Sequence, residues 1–246
     1  MSAFDDLAAI VARLRGPDGC PWDKAQDPAT MRPYLLEEAY EVLDAIESGD
    51  PSKLREELGD LLFNVVMLAQ MAQDAGQFAV SDVPAGIARK MVERHPHVFG
   101  SAEGGSIADW EQRKSTPDRG RLDGVPRTLP ALLRAHRQGE KAAAVGFDWD
   151  DAAGVLRKVR EEIEELEAET DPVRIEEELG DLLMAVASLG RKLGAPPESA
   201  LQNANDRFRS RFRTMEKLAG ERGVELSAMD AATLDALWEE AKRAER

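Results

Sequence analysis

The chain has 246 residues, 47 acidic against 32 basic, and a net charge of −15. That length holds one large core or two small domains, and that charge argues against non-specific binding to nucleic acid or to an anionic membrane surface. One cysteine, Cys20, excludes an intrachain disulfide framework and fits a reducing compartment. No apolar run reaches the roughly 18 residues that span a membrane. The N-terminus MSAFDDLAAIVARL is acidic and amphipathic, unlike a secretion signal. The expectation is a soluble cytoplasmic protein. Aromatics are 5% of the residues and no convincing alternating run is present, so the expected class is all-α.

A short amphipathic helix is expected over 4–15, followed by the turn-rich GPDGCPWDKAQDP with Trp22 and Asp23. Two helices at about 31–48 and 52–75 then face each other across Asp50-Pro51, an N-cap acceptor before a proline at the first helical position. Glu38 and Glu41 are three apart on the first helix, and Glu57 and Asp60 are three apart on the second. On an α-helix that spacing places each pair on one face. After Asp60 comes LLFNVVMLA, apolar nearly all round, which predicts burial. A helix near 83–95 carries Lys90 and Arg94 one turn apart, HPHVFGSAEGGS reads as loop, and a short helix near 106–114 carries Trp110.

The stretch STPDRGRLDGVPRT is rich in Pro, Gly and charge, and residues 116–128 are expected to link two domains, 1–115 and 129–246. A helix at about 129–143 opens the second half. GFDWDD follows and echoes GCPWDK. A second acidic hairpin occupies about 152–168 and 173–193, turning at Asp171-Pro172, with Glu162 and Glu165 on one arm and Glu178 and Asp181 on the other. LLMAVASLG continues that arm. A long helix at about 196–221 carries Arg207 and Arg211, and a last helix at about 230–244 carries Trp238. The order Trp-Asp, EExxE, ExxD, basic pair, Trp-Glu thus occurs twice. It describes a duplicated domain of four or five helices.

Clustered carboxylates repel each other and resist desolvation, and a divalent cation relieves both. Hard cations take oxygen ligands, and Mg²⁺ uses a few carboxylates while leaving positions for water or phosphate. Gly59 and Gly180 sit inside the second arm of each hairpin, where glycine costs about 1 kcal/mol against alanine. Close helix approach or room for a ligand would account for that. A lone EExxE in so acidic a chain is a solvated face. The repetition of the whole unit is what separates these residues from Glu56, Glu176 and Glu177. The arginine pair suits phosphate, yet its spacing equally suits a solvated stripe. Trp238 suits core packing as well as stacking on a base.

His95, His97 and His136 do not follow a glutamate by three, so the Glu-x-x-His pattern of di-iron bundles is absent. There is no GxxxxGK[ST]. RKVREEIEEL lacks the downstream glycine of a Nudix box, with Glu167 in its place.

GCPWDKAQ, the two EExxE runs, the two ELGDLL runs and NDRFRSRF, in this order over nearly the whole chain, resemble the MazG family of nucleoside triphosphate pyrophosphohydrolases. The resemblance implies two tandem all-α domains, commonly dimeric, and Mg²⁺-dependent hydrolysis of nucleoside triphosphates to monophosphate and pyrophosphate, with Mn²⁺ a possible substitute. By motif, Glu162, Glu165, Glu178 and Asp181 would hold the metal and carry catalysis in the second domain. Lys158, Glu161, Arg174, Arg207, Arg211 and Trp238 would surround the nucleotide. Glu38, Glu41, Glu57 and Asp60 match the ligand pattern in the first domain, with Lys90 and Arg94 as its nucleotide-facing cations. The resemblance ranks the second domain first for activity. Arg174 stands where some relatives carry lysine. A non-catalytic nucleotide sensor and a purely structural acidic bundle are the competing readings. The sensor predicts metal-dependent nucleotide binding without turnover, and the bundle predicts no stabilisation by Mg²⁺.

Overall fold

The computed structural model describes residues 2–100 and 120–244, and among these it contains eleven α-helices, one short 3₁₀ turn and no strand. The chain divides into two compact units, residues 1–105 and 106–246. The expected helix around Trp110 and residues 116–119 of the expected linker lie outside the described residues.

The first unit holds α1 (Ala3–Arg15), α2 (Pro21–Ala25), α3 (Arg32–Ser48), α4 (Pro51–Asp74), α5 (Asp82–Arg94) and α6 (Pro96–Phe99). Ser2 and Asp5 cap α1 reciprocally. Gly49 ends α3 in the left-handed region at φ 67°, which only glycine adopts cheaply. Asp50 then caps α4 by accepting from the Ser52 N–H at 2.8 Å. The chain reverses in two residues and α3 packs along α4. The core lies where α1 crosses the second half of α4. Val11, Met31, Val66, Met67 and Met71 are buried there, with Phe4, Leu7 and Phe63 against them. Arg15 ties α1 to both neighbours, donating to Asp74 at 2.8 Å and to the Asp23 carbonyl at 2.7 Å. Two segments expected as loop carry one turn of helix each, α2 and α6, because Pro21 and Pro96 start them with φ already set.

The second unit holds α7 (Ala131–Ala143), α8 (Ala152–Ala168), α9 (Pro172–Lys192), α10 (Pro197–Glu221), a 3₁₀ turn at Leu226–Ala228 and α11 (Ala231–Ala244). Asp151 caps α8 at the Gly154 N–H, and Asp171 caps α9 at the Val173 N–H. α8 packs along α9, α7 lies across α9, and α10 packs on α7 and α11. Met215, Ala219, Leu237 and Ala241 form the core of the α10–α11 pair. Residues 120–128 do not run free of this unit, since Val125 is buried and Leu122 lines a cleft against α7 and α9.

The burial expected for the apolar arms holds on one face only. Val66, Met67 and Met71 of α4 are buried, but Leu58, Leu62 and Val65 are exposed. On α9, Ala185, Ala187 and Ser188 are buried, while Leu179, Leu183 and Met184 are exposed. An all-round apolar helix needs neighbours on every side, and a two-helix hairpin supplies one.

Candidate active site

In the second unit the antiparallel packing of α8 and α9 turns sequence spacing into convergence. Glu162, Glu178 and Asp181 offer oxygen atoms that all lie within 4.8 Å of one another. Glu162 is 4% exposed, so its carboxylate needs a partner. Lys158 supplies one, with Nζ 2.7 Å from Glu162 Oε1 and 2.7 Å from Glu161 Oε1. Its hydrogen bonds to Glu161 and then Glu162 hold the ammonium above its ordinary pKa. Arg174 bridges Glu169 and Glu178 at 3.1 Å each. Glu165 stands beside this set rather than within it. Partial desolvation raises its pKa against the pull of Lys158, and repulsion from Glu162, Glu161 and Glu178 raises it further.

In the first unit, Glu38, Glu41 and Glu57 lie within the same 4.8 Å limit. Asp60 is their near neighbour. The pKa of Glu38 is raised first by burial and then by repulsion from Glu41, Asp60 and Glu57. Burial and then Glu41 raise that of Glu57. The two sites differ in their cations. Tyr34 stands four residues before Glu38, where Lys158 stands four before Glu162. Lys53 stands four before Glu57, as Arg174 does before Glu178, and pulls the Glu57 pKa down. Nothing in the spacing patterns pointed to Lys53; its signal was its register with Arg174.

The donor chemistry fits a hard divalent cation in both units. Three carboxylates converge without a histidine or thiol among them. Oε2 of Glu38 is buried and has no hydrogen-bond partner. Such an atom costs free energy unless something occupies its lone pairs. Gly59 and Gly180 add to this. A Cβ built at either would meet nothing within 4 Å. Close helix approach is therefore not the reason for these glycines, and open space beside each ELGD is what the structure leaves.

Of the remaining basic and aromatic candidates, Arg211 and Trp238 meet between α10 and α11. The Arg211 guanidinium lies over the Trp238 ring at 5.9 Å, and Phe208 packs on Trp238 at 5.3 Å. Trp238 also borders the α10–α11 core, so it is half core and half surface. Arg207 is exposed on the same helix. The main packing of α10 is with α7, α11 and α9, and that of α5, with Lys90 and Arg94, is with α6.

Known proteins place the chain. The model of the MazG nucleotide pyrophosphohydrolase domain matches residues 26–99, the stretch that contains the first hairpin. A nucleoside triphosphate pyrophosphohydrolase of Escherichia coli is 48% identical over 261 aligned positions, covering 100% of this chain and 99% of that protein. The nucleoside triphosphate pyrophosphohydrolase/pyrophosphatase MazG of Thermotoga maritima is 42% identical over 97% of this chain and 95% of its own length. YabN of Bacillus subtilis is 43% identical over 99% of this chain, which corresponds to 52% of that longer protein. With the all-α fold and the twice-built carboxylate cluster, this full-length similarity shows that the chain belongs to the MazG family of nucleotide pyrophosphohydrolases.

Proposed function

We propose that the protein hydrolyses nucleoside triphosphates to nucleoside monophosphate and pyrophosphate in a Mg²⁺-dependent reaction, in nucleotide-pool cleaning or regulation. The observation that carries this reading is the convergence of Glu162, Glu178 and Asp181 across the α8–α9 hairpin, with Glu165 beside them. We assign these four as the metal-holding and catalytic set, and Glu38, Glu41, Glu57 and Asp60 as a second metal set. A divalent cation held there supplies charge neutralisation on the triphosphate.

The chain's own residues supply the rest. Lys158 and Arg174, now paired with Glu162 and Glu178, are close enough to exchange a carboxylate oxygen for a phosphate oxygen. Glu161 holds Lys158 in place for that exchange. A water oxygen bonds to the α-phosphorus, the bridge to the β-phosphate breaks in line, pyrophosphate leaves, and a proton of the water passes to a carboxylate of the set. Arg207, Arg211 and Trp238 form a cationic and aromatic edge suited to the nucleotide, with Lys90 and Arg94 in the corresponding role in the first unit. We read the two units as two MazG-like domains and the second as the main catalytic one, because it alone has a lysine at the Lys158 position. The exposed apolar faces of α3, α4, α8 and α9 support a homodimer.

Product analysis with Mg²⁺ tests the reaction. Monophosphate and pyrophosphate are expected from the wild type, and Glu178→Ala is expected to lose turnover with its helical content intact. Glu57→Ala should retain it. Diphosphate and phosphate as products, or retained turnover in Glu178→Ala, would contradict the assignment. Metal-dependent nucleotide binding with no product would favour the sensor.

A further inference from the structure

The turn between α8 and α9 carries a carboxylate that neither acidic cluster uses. Glu169 follows the last residue of α8 in extended backbone, at φ −86° and ψ 143°. Its Oε1 accepts from the Thr170 N–H at 2.8 Å and from the Asp171 N–H at 3.1 Å. Backbone donors therefore fix this carboxylate independently of any cation. Its Oε2 accepts from Arg174 Nε at 3.1 Å. The same guanidinium donates from Nη2 to Glu178 Oε1, also at 3.1 Å, and the Arg174 side chain is 59% exposed.

An exposed ion pair by itself contributes little stability. The consequence of an anchor at Nε is geometric. Arginine carries a planar fork of N–H donors on a long flexible stem. Tying Nε to the turn orders the stem and sets the plane, while Nη1 and Nη2 keep N–H groups for other oxygens. Glu178, one of the three convergent carboxylates, lies within reach of that end. A side chain ordered before binding spares the complex the cost of ordering it.

The first unit supplies an internal comparison. Counted from the Asp-Pro turn, Ser48 stands where Glu169 does, and Lys53 stands where Arg174 does. Ser48 Oγ accepts from the Asp50 N–H at 3.2 Å, as Glu169 Oε1 accepts from the Asp171 N–H. The serine thus satisfies the turn but has no second oxygen for a cation. A lysine ammonium is a compact charge with no plane to orient. The acid accompanies the arginine, and the hydroxyl accompanies the lysine.

Resting on the proposed reaction, we infer that Glu169 is a positioning residue for the triphosphate. It holds Arg174 by Nε so that the terminal nitrogens are presented beside Glu178, and these nitrogens take phosphate oxygens when Glu178 gives up its hydrogen bond. Glu169 acts through Arg174 and does not touch the substrate.

The test uses the full chain, with Glu169→Ser, Arg174→Lys and the double variant. The serine copies the first unit's turn, so an acceptor for the Asp171 N–H is kept. Three readouts are taken with Mg²⁺: KM and kcat for a nucleoside triphosphate, calorimetric binding of inorganic tripolyphosphate, and the melting temperature. In Glu169→Ser, KM and the tripolyphosphate dissociation constant are each expected to rise about fivefold, the scale of ordering one long side chain. The value of kcat should stay within about twofold, and the melting temperature should stay that of the wild type. Arg174→Lys has no Nε–H fork to hold, so adding Glu169→Ser to it should change neither constant by more than about twofold. Unaltered constants in Glu169→Ser, or the same fivefold loss in both backgrounds, would overturn the inference, as would a lowered melting temperature with unaltered binding. If the wild type releases no pyrophosphate, the proposed reaction fails and tripolyphosphate binding alone decides the role of Glu169. A loss confined to the Arg174 background then supports it, and no binding to the wild type refutes it.

Discussion

Lys158 is the residue that most distinguishes the two acidic sites. It neutralises a buried Glu162 that would otherwise be desolvated without a counter-charge. Lys158→Met is therefore expected to lower the melting temperature in EDTA, and Mg²⁺ is expected to recover more of the loss than the wild type gains. Melting curves with and without the ion check this. Asp148 provides a separate test, because the hydrogen bond from Arg191, with help from Lys192, holds its pKa at about 2. A carboxylate with a depressed folded pKa stabilises the fold above its unfolded value near 3.9, and that stabilisation is lost as pH falls toward 2. Asp148→Asn is expected to cost about 2 kcal/mol at pH 7, and the deficit should close between about pH 4 and pH 2. Chemical denaturation at several pH values measures it. The pairing of Asp148 with Arg191 was not legible beforehand, because the two residues are far apart in the chain and only the packing of the loop before α8 on α9 joins them.

The helical hairpin is the element that makes the candidate site, and its parts were readable because they are local. The Asp-Pro turn, the paired carboxylates and the embedded glycine all follow from helical periodicity and capping. Gly180 is exposed, and a Cβ there meets nothing. Gly180→Ala is expected to stabilise the helix by about 1 kcal/mol without ligand. If the space beside it receives substrate, KM rises in the same variant. Thermal melting and steady-state kinetics on one preparation separate the two effects. What periodicity did not show was which cation partners which carboxylate. Lys158 spans Glu161 and Glu162, and Arg174 reaches back to Glu169 as well as forward to Glu178, choices settled by side-chain reach.

For the molecule as a whole, the exposed apolar residues are the feature to explain. Leu36, Leu43, Leu58 and Leu62 in the first unit, and Ile163, Leu179 and Leu183 in the second, lie on the hairpins that carry the carboxylates. Light scattering is expected to give about twice the 27.0 kDa chain mass, and Leu62→Glu should shift the distribution toward the monomer. Metal binding is expected to stabilise the folded state by about 2.7 kcal/mol at one hundred times its dissociation constant. An unshifted melting curve with Mg²⁺ would instead support a structural bundle.

The all-α class and the two acidic helical hairpins could be read from the residue order, since helical periodicity, capping and repetition are local or nearly local properties. Packing was needed to show that Glu165 stands outside the tightest group, that the glycines face open space and that Glu38 has a buried oxygen without a partner. Packing also built the cleft, from Gln138, Phe147, Trp149, Met184 and Arg191. These residues share no spacing rule. They meet because α7 crosses α9 and the loop before α8 folds against both, and a contact between distant segments leaves no periodic trace in either one.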